Sequence, residues 1–317
     1  DVCSSDLFDV SNVTTMQYTF DSCYSLRKIN FPQFGSTFSL AGFNNYANFS
    51  YTFKDCYNLE EVPPLDCGDL TFQFYQTFLN CYKLKKIDLF NLSPVPNNGV
   101  TGWAVYIREC FSGCYELEEV NIRLSGNNES SSPAWVNNAF TSCRNLKEIG
   151  ATFSAYVAPY TNANYGMKSM FSGCNSLTKI EMRLDTSGNQ NLSSTFAGCY
   201  NLQEITSMTF SCADVTTGSP FAGCLNLKNT NISNGTRTLY LNGTSIQRTE
   251  MLNIISNLGT AVNGSQFIDI QDTPADYFML DINDRKGIID KGYYINTTTV
   301  SNELVLYLDA SNTNSYP

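Results

Sequence analysis

The chain has 317 residues, and its 19 Lys and Arg against 29 Asp and Glu give a formal charge of −10 and an isoelectric point near 4.5. That balance argues against nucleic acid or an anionic membrane as the main partner, since both need a basic face. Histidine is absent, which removes Ser-His-Asp and Cys-His nucleophilic pairs and His-containing zinc sites. No apolar run reaches the roughly eighteen residues that a membrane-crossing helix needs.

Residues 1–19 read as the tail of an earlier repeat, without a basic segment and an apolar one to mark a leader. From Phe20 a decapeptide F-x-x-C-x-x-L-x-x-I begins, and it recurs eight times. Its paired anchors are Phe20/Cys23, Phe53/Cys56, Phe78/Cys81, Phe111/Cys114, Phe140/Cys143, Phe171/Cys174, Phe196/Cys199 and Phe221/Cys224. Leu and Ile or Val complete each copy except the last, where Thr230 takes the aliphatic slot. Successive Phe anchors lie 33, 25, 33, 29, 31, 25 and 25 residues apart. A conserved unit with such a period predicts a solenoid, in which each coil buries its apolar side only against its neighbours.

The position four before the anchor Phe is apolar in seven copies, from Met16 to Leu192. Apolar residues at i, i+4 and i+7, as in Met16, Phe20 and Cys23, predict a short helix of about two turns in each coil. Leu84-Lys85-Lys86-Ile87-Asp88-Leu89 shows the switch to a strand. The fold expected is therefore an α/β solenoid of about ten coils, each with one short parallel strand and one short helix. Eight cysteines share one slot and form a column. Packed helices stand roughly 8–10 Å apart, beyond the reach of a disulfide, so the column should be reduced and act as small apolar residues. Cys3, Cys67, Cys110 and Cys212 find no place in this scheme.

Between the Leu and Ile anchors stand Arg27-Lys28, Glu60-Glu61, Lys85-Lys86, Glu118-Glu119 and Lys147-Glu148. Neighbouring strands lie about 4.8 Å apart, so alternating sign sets cations beside carboxylates and disfavours coils paired out of order.

The loops from the Ile/Val anchor to the next Phe span 23, 15, 23, 19, 21, 15 and 15 residues. Fifteen is the minimal turn, so four loops carry insertions at one point of the unit. They hold Phe43, Tyr46, Trp103, Tyr106, Trp135, Tyr156, Tyr160 and Tyr165. Such aromatics can pin long loops to the solenoid flank. They also form a candidate ligand-binding edge, because insertions along one face of a repeat protein often mark its binding surface.

Residues 1–238 thus read as repeat coils with insertions and 239–296 as atypical coils capping the core. In the latter, Met251, Ile254, Ile255 and Leu258 mark a helix stopped by Gly259, and Ile282–Asp290 marks another. Residues 297–317 read as a linker and the first strand of a further domain. No catalytic, cofactor or metal set emerges. Cys110-x-x-x-Cys114 lacks a second pair, and the loop from Asp281 has Arg285 and Gly292 where a calcium loop needs ligands.

The decapeptide, preceded by Phe8-Asp9-Val10-Ser11-Asn12-Val13-Thr14-Thr15-Met16, resembles the BspA-like leucine-rich repeat of bacterial and protozoan surface proteins. Lys291-Gly292-Tyr293-Tyr294-Ile295 is similar to that family's closing coil. The tail Leu304-Val305-Leu306-Tyr307-Leu308-Asp309-Ala310, running on to Pro317, looks like the start of a laminin-G or concanavalin-like domain of tailed-phage virion proteins. Together they imply a non-enzymatic structural or adhesion module on a virion surface, as a fibre or a head or tail decoration. Its partners would be other virion proteins or a host-surface glycan or protein, with homo-oligomers open. The alternatives are a cell-surface adhesin of the same fold and a glycan-cleaving fibre.

Overall fold

The computed structural model describes residues 15–29, 38–39, 47–66, 72–92, 107–124, 136–149, 155–156, 166–185, 191–209, 219–233, 238–261, 266–271, 273 and 280–296. In chain order the strands are β1 (Phe38–Ser39), β2 (Ala47–Asn48), β3 (Leu65–Asp66), β4 (Phe72–Gln73), β5 (Lys86–Leu92), β6 (Glu119–Leu124) and β7 (Glu148–Ile149). They continue as β8 (Ala155–Tyr156), β9 (Lys179–Asp185), β10 (Glu204–Thr209), β11 (Ile232–Ser233), β12 (Leu239–Tyr240), β13 (Phe267–Asp269) and β14 (Tyr294–Asn296). Two helices, α1 (Arg248–Asn257) and α2 (Ile282–Asp290), flank β13.

Every strand pairing among the described residues is parallel. One sheet runs β1-β3-β5-β6, a second β7-β9-β10-β11 with β8 also on β9, a third β12-β13-β14, and β2 pairs with β4. Register follows the repeat: Ile87 lies opposite Val120, and Ile149 and Ile205 both lie opposite Ile180. The chain is a leucine-rich-repeat solenoid with parallel strands.

The short helix expected in each repeat coil is replaced by a ribbon of tight turns. In the first coil Phe20 N–H donates to Thr52 O of the next coil at 2.9 Å, and Ser22 N–H to Lys54 O at 2.8 Å. The intervening amides turn inward: Thr19 N–H donates to Met16 O and Cys23 N–H to Phe20 O, both at 3.1 Å. This alternation recurs down the stack, as with Phe171 N–H to Thr195 O at 2.8 Å and Cys174 N–H to Phe171 O at 3.0 Å. A helix would need unbroken negative φ. Here the residue two after the anchor Phe is left-handed in every copy, and the residue two before it in all but the last, for example Ser22 and Tyr18, both at φ 60°. A positive φ at the third residue makes a type II turn. Four copies use glycine after the anchor, and Gly198 has φ 76° with its neighbours in the same column at 75° and 77°. The i, i+4, i+7 face is buried as expected, but consecutive turns produce it.

Along the axis the eight anchor rings stack as seven nearly parallel pairs, with centroids 5.3–5.7 Å apart. Coils are therefore closer than packed helices would allow. The cysteines are free nonetheless. Each thiol from Cys56 onward donates to the carbonyl of the preceding anchor Phe, as Cys143 does to Phe111 O at 3.1 Å. Cys110, unplaced by sequence, is buried one residue before its anchor, where other coils carry Thr52, Thr77 and Thr195. Cys3, Cys67 and Cys212 lie outside the described residues.

The last two coils carry true helices over the ranges that their patterns predict. Where Thr230 replaces the aliphatic anchor, Glu250 of α1 explains it. One Glu250 oxygen accepts from Thr230 N–H and Oγ1, each at 2.9 Å, and from Asn231 N–H at 3.1 Å. The closing coils are tied to each other at both helix ends. Arg248 reaches Asp281 and Asp284 at 3.0 and 2.7 Å, where Asp281 caps α2. Lys291 Nζ donates to the carbonyls of Ile255, Ser256 and Leu258 near the end of α1, a favourable place for a cation.

Two outcomes are expected. Glu250→Ala strands the buried amide and hydroxyl of Thr230 and the part-buried amide of Asn231, and should destabilise the last coils by about 2 kcal/mol; a urea midpoint indistinguishable from the parent's would refute the lock. Burial raises the thiol pKa values, to about 12 at Cys56 and Cys224. The unfolded chain loses its thiol protons first, near pH 8.5, so stability is complete below that pH and falls as pH climbs towards 12. The melting temperature should drop between pH 8.5 and 10.5, and less steeply in Cys143→Ala/Cys174→Ala; a flat profile would contradict the buried column.

Candidate functional site: a tyrosine edge

Of the aromatic loop residues, Phe43, Tyr46, Trp103, Tyr106, Trp135, Tyr160 and Tyr165 lie outside the described residues. Tyr156 belongs to β8, where its backbone pairs with Asp185 of β9. The described surfaces that remain are the strand face and the edge just before it.

The strand face carries the charges that alternate in the sequence. Arg27 pairs with Glu60 at 2.8 Å, Lys28 with Glu61 at 2.5 Å, Lys86 with Glu119 at 2.9 Å and Lys147 with Glu118 at 3.0 Å. Hydrogen bonds from Arg27 and Lys86 hold Glu60 and Glu119 below the usual carboxylate range. These groups are largely exposed, so each pair contributes only about 0–1 kcal/mol; their larger effect is on the order of the coils. Shallow hollows of about 330 and 440 Å³ open among them, one at Glu60, Glu61, Lys85 and Lys86 and the other at Glu118, Glu119, Lys147 and Glu148. Binding pockets for small molecules are deep and mostly apolar, whereas these hollows are shallow and lined chiefly by charged side chains.

The edge is different in kind. The residue after the column cysteine is tyrosine in five of the eight copies, Tyr24, Tyr57, Tyr82, Tyr115 and Tyr200. The first four stack ring on ring, with centroids 5.0, 4.8 and 4.9 Å apart and planes within 21°. The Arg144 guanidinium lies 4.5 Å over the last ring. A shorter row runs alongside on the other flank of the turn ribbon: Tyr18 stacks on Tyr51 at 4.5 Å, Tyr51 meets Tyr75 edge-on at 5.1 Å, and Arg108 covers Tyr75 at 5.2 Å. The rings of the longer row stay partly exposed despite the stacking, Tyr24 most of all. Burial of each ring against the next raises the Tyr57 and Tyr82 pKa values, so both phenols are protonated donors at neutral pH.

Such rows suit recognition. Tyrosine offers a large amphipathic contact with few rotamers to freeze, and stacking has already frozen most of them before a partner arrives. The sequence does contain the signal, tyrosine immediately after the column cysteine, but it becomes legible only once the coil interval is known. Among the described residues no three Cys, Asp or Glu side chains converge as metal ligands, and no helix is long and apolar enough to cross a membrane. Replacing Tyr82 by Ala breaks two stacked pairs and should cost about 1–2 kcal/mol. Tyr82→Phe should be near neutral; equal losses in urea titrations would show that the stack contributes nothing.

The family description "BspA type Leucine rich repeat region" matches residues 9–158 and 107–244 in six copies. No curated protein matches the chain. Among solved structures, "Crystal structure of TLR13-ssRNA13 complex" aligns at 14% identity with a TM-score of 0.30, covering 88% of this chain and 45% of that one. The chain thus spans under half of that chain, and a likeness this loose carries no argument about this one. Stacked parallel strands, the anchor column and a family match over residues 9–244 agree, and the chain belongs to the BspA-type leucine-rich repeat family.

Proposed function

We propose that this chain is a non-enzymatic adhesion module, displayed on a surface, that grips its partner through the tyrosine edge. The observation that carries the reading is the preorganised row Tyr24-Tyr57-Tyr82-Tyr115, half-exposed at its start and free of internal hydrogen bonds to its hydroxyls among the described residues. A rigid solenoid presenting a tyrosine-rich surface has the composition of a protein-recognition or glycan-recognition face. The insertion-loop aromatics, Trp103 and Trp135 among them, are a second candidate contact within the same reading. The histidine-free composition and the shallow, charge-paired strand face support binding over catalysis in this reading.

The tail resemblance at Leu304–Pro317 supports placing the module on a tailed-phage virion, as a fibre or a head or tail decoration meeting a host-surface component or a neighbouring virion protein. The family match alone equally suits a cell-surface adhesin, and the sequence flanking the chain separates the two. In a pull-down from host envelope material, Tyr57→Ala/Tyr115→Ala should lose about tenfold in retained partner, while circular dichroism stays native. Trp103→Ala/Trp135→Ala measures the loops separately. Undiminished retention by the tyrosine variant would remove the edge from the reading.

A further inference from the structure

The tyrosine row does not stand alone on its edge. Lys83 follows Tyr82, Lys85 lies two residues further, and Arg144 covers Tyr115. All three are exposed, and none forms an ion pair among the described residues. Their neighbours on the strand face are paired off: Glu60 is held by Arg27 and Glu118 by Lys147. Lys83 and Lys85 both feel the Glu60 charge, and Glu116 and Glu148, in the coils of Tyr115 and Arg144, are carboxylates without an ion pair among the described residues. A chain of net charge −10 therefore keeps three cations without an ion pair among the described residues beside a row of phenol donors. Acidic proteins repel anions in general, so an unpaired cationic patch is a selective local attraction.

The spacing narrows the occupant further. The hydroxyl-bearing rings repeat every 4.8–5.0 Å along the solenoid axis. An extended peptide lying on that axis presents same-face side chains about every 6.6 Å, and it falls out of step within two coils. A linear polysaccharide advances by about one sugar ring per residue, the same order of length as one coil, so each residue can meet one phenol.

We propose that this edge, from Tyr57 to Arg144, binds an extended anionic polysaccharide laid parallel to the solenoid axis. The phenols donate to its hydroxyl and carboxylate oxygens, while Lys83, Lys85 and Arg144 neutralise its acid groups. This rests on the adhesion reading and names its partner class.

The test titrates the whole chain with polygalacturonate, its methyl-esterified form and poly-L-glutamate, at two salt concentrations. Polygalacturonate should bind and weaken as salt rises, with the ester and the polypeptide bound at least about tenfold less tightly. Lys83→Glu/Lys85→Glu/Arg144→Glu should lower affinity by about tenfold or more. Tyr57→Phe/Tyr82→Phe/Tyr115→Phe keeps the stack and should lower it by about threefold. Polygalacturonate left unbound, bound equally by the charge-reversed chain, or matched by poly-L-glutamate would overturn the proposal. If the envelope pull-down still depends on Tyr57 and Tyr115 in that event, the partner class fails and the adhesion reading stands.

Discussion

The structure depends on how the coil divides its backbone amides. Alternate N–H groups leave for the next coil and the others close turns within their own, so buried donors are satisfied without a helix. Division of this kind requires a left-handed residue at short regular intervals, and the columns through Ser22, Asp55, Asn80 and Gly113 supply it. Of these, Asp55, Asn80 and Gly113 are residue types that reach positive φ at least cost. At Gly113 an added Cβ would also fall 2.5 Å from Asn80 Oδ1, so crowding between coils reinforces the backbone requirement there.

That division sets a coil interval near 5 Å, and the other regularities follow from it. Anchor phenylalanines stack at 5.3–5.7 Å because their coils do. Thiols reach the carbonyl of the preceding coil, which gives each buried sulfur a polar partner and keeps the column inert. Charged side chains on the strands come within reach of the adjacent coil, so Lys86 finds Glu119. Surface tyrosines fall into contact by the same spacing. A sequence column thus becomes a physical ladder wherever the coil repeats, and the proposed binding edge is one such ladder that happens to face outward.

The closing coils show where the scheme ends. Thr230 could not fill an aliphatic slot, and the structure turns it into a hydroxyl and amide pair for the Glu250 carboxylate. From there the chain returns to ordinary helices, α1 and α2, held by Arg248 and Lys291. A buried carboxylate is costly unless fully hydrogen-bonded, so this junction specifies one docking of the last coils on the repeats. Solenoid cores need such an end, because a repeat without a neighbour leaves its apolar side uncovered.

The sequence by itself determined the solenoid, its anchors, the alternation of strand charges and both terminal helices, because each rests on a local period or on columns that repeat many times. Tertiary structure alone decided the rest. The face through Met16, Phe20 and Cys23 is equally compatible with a helix and with consecutive turns, since both bury every third or fourth residue; only hydrogen bonds to the adjacent coil distinguish them. The same holds for the site. Phe43, Trp103 and Trp135 stand out in the sequence as loop aromatics, whereas Tyr24, Tyr57, Tyr82 and Tyr115 read as ordinary residues after a cysteine. They form one surface because coils 25 to 33 residues apart in sequence lie about 5 Å apart in space, a proximity that stacking creates and no single coil contains.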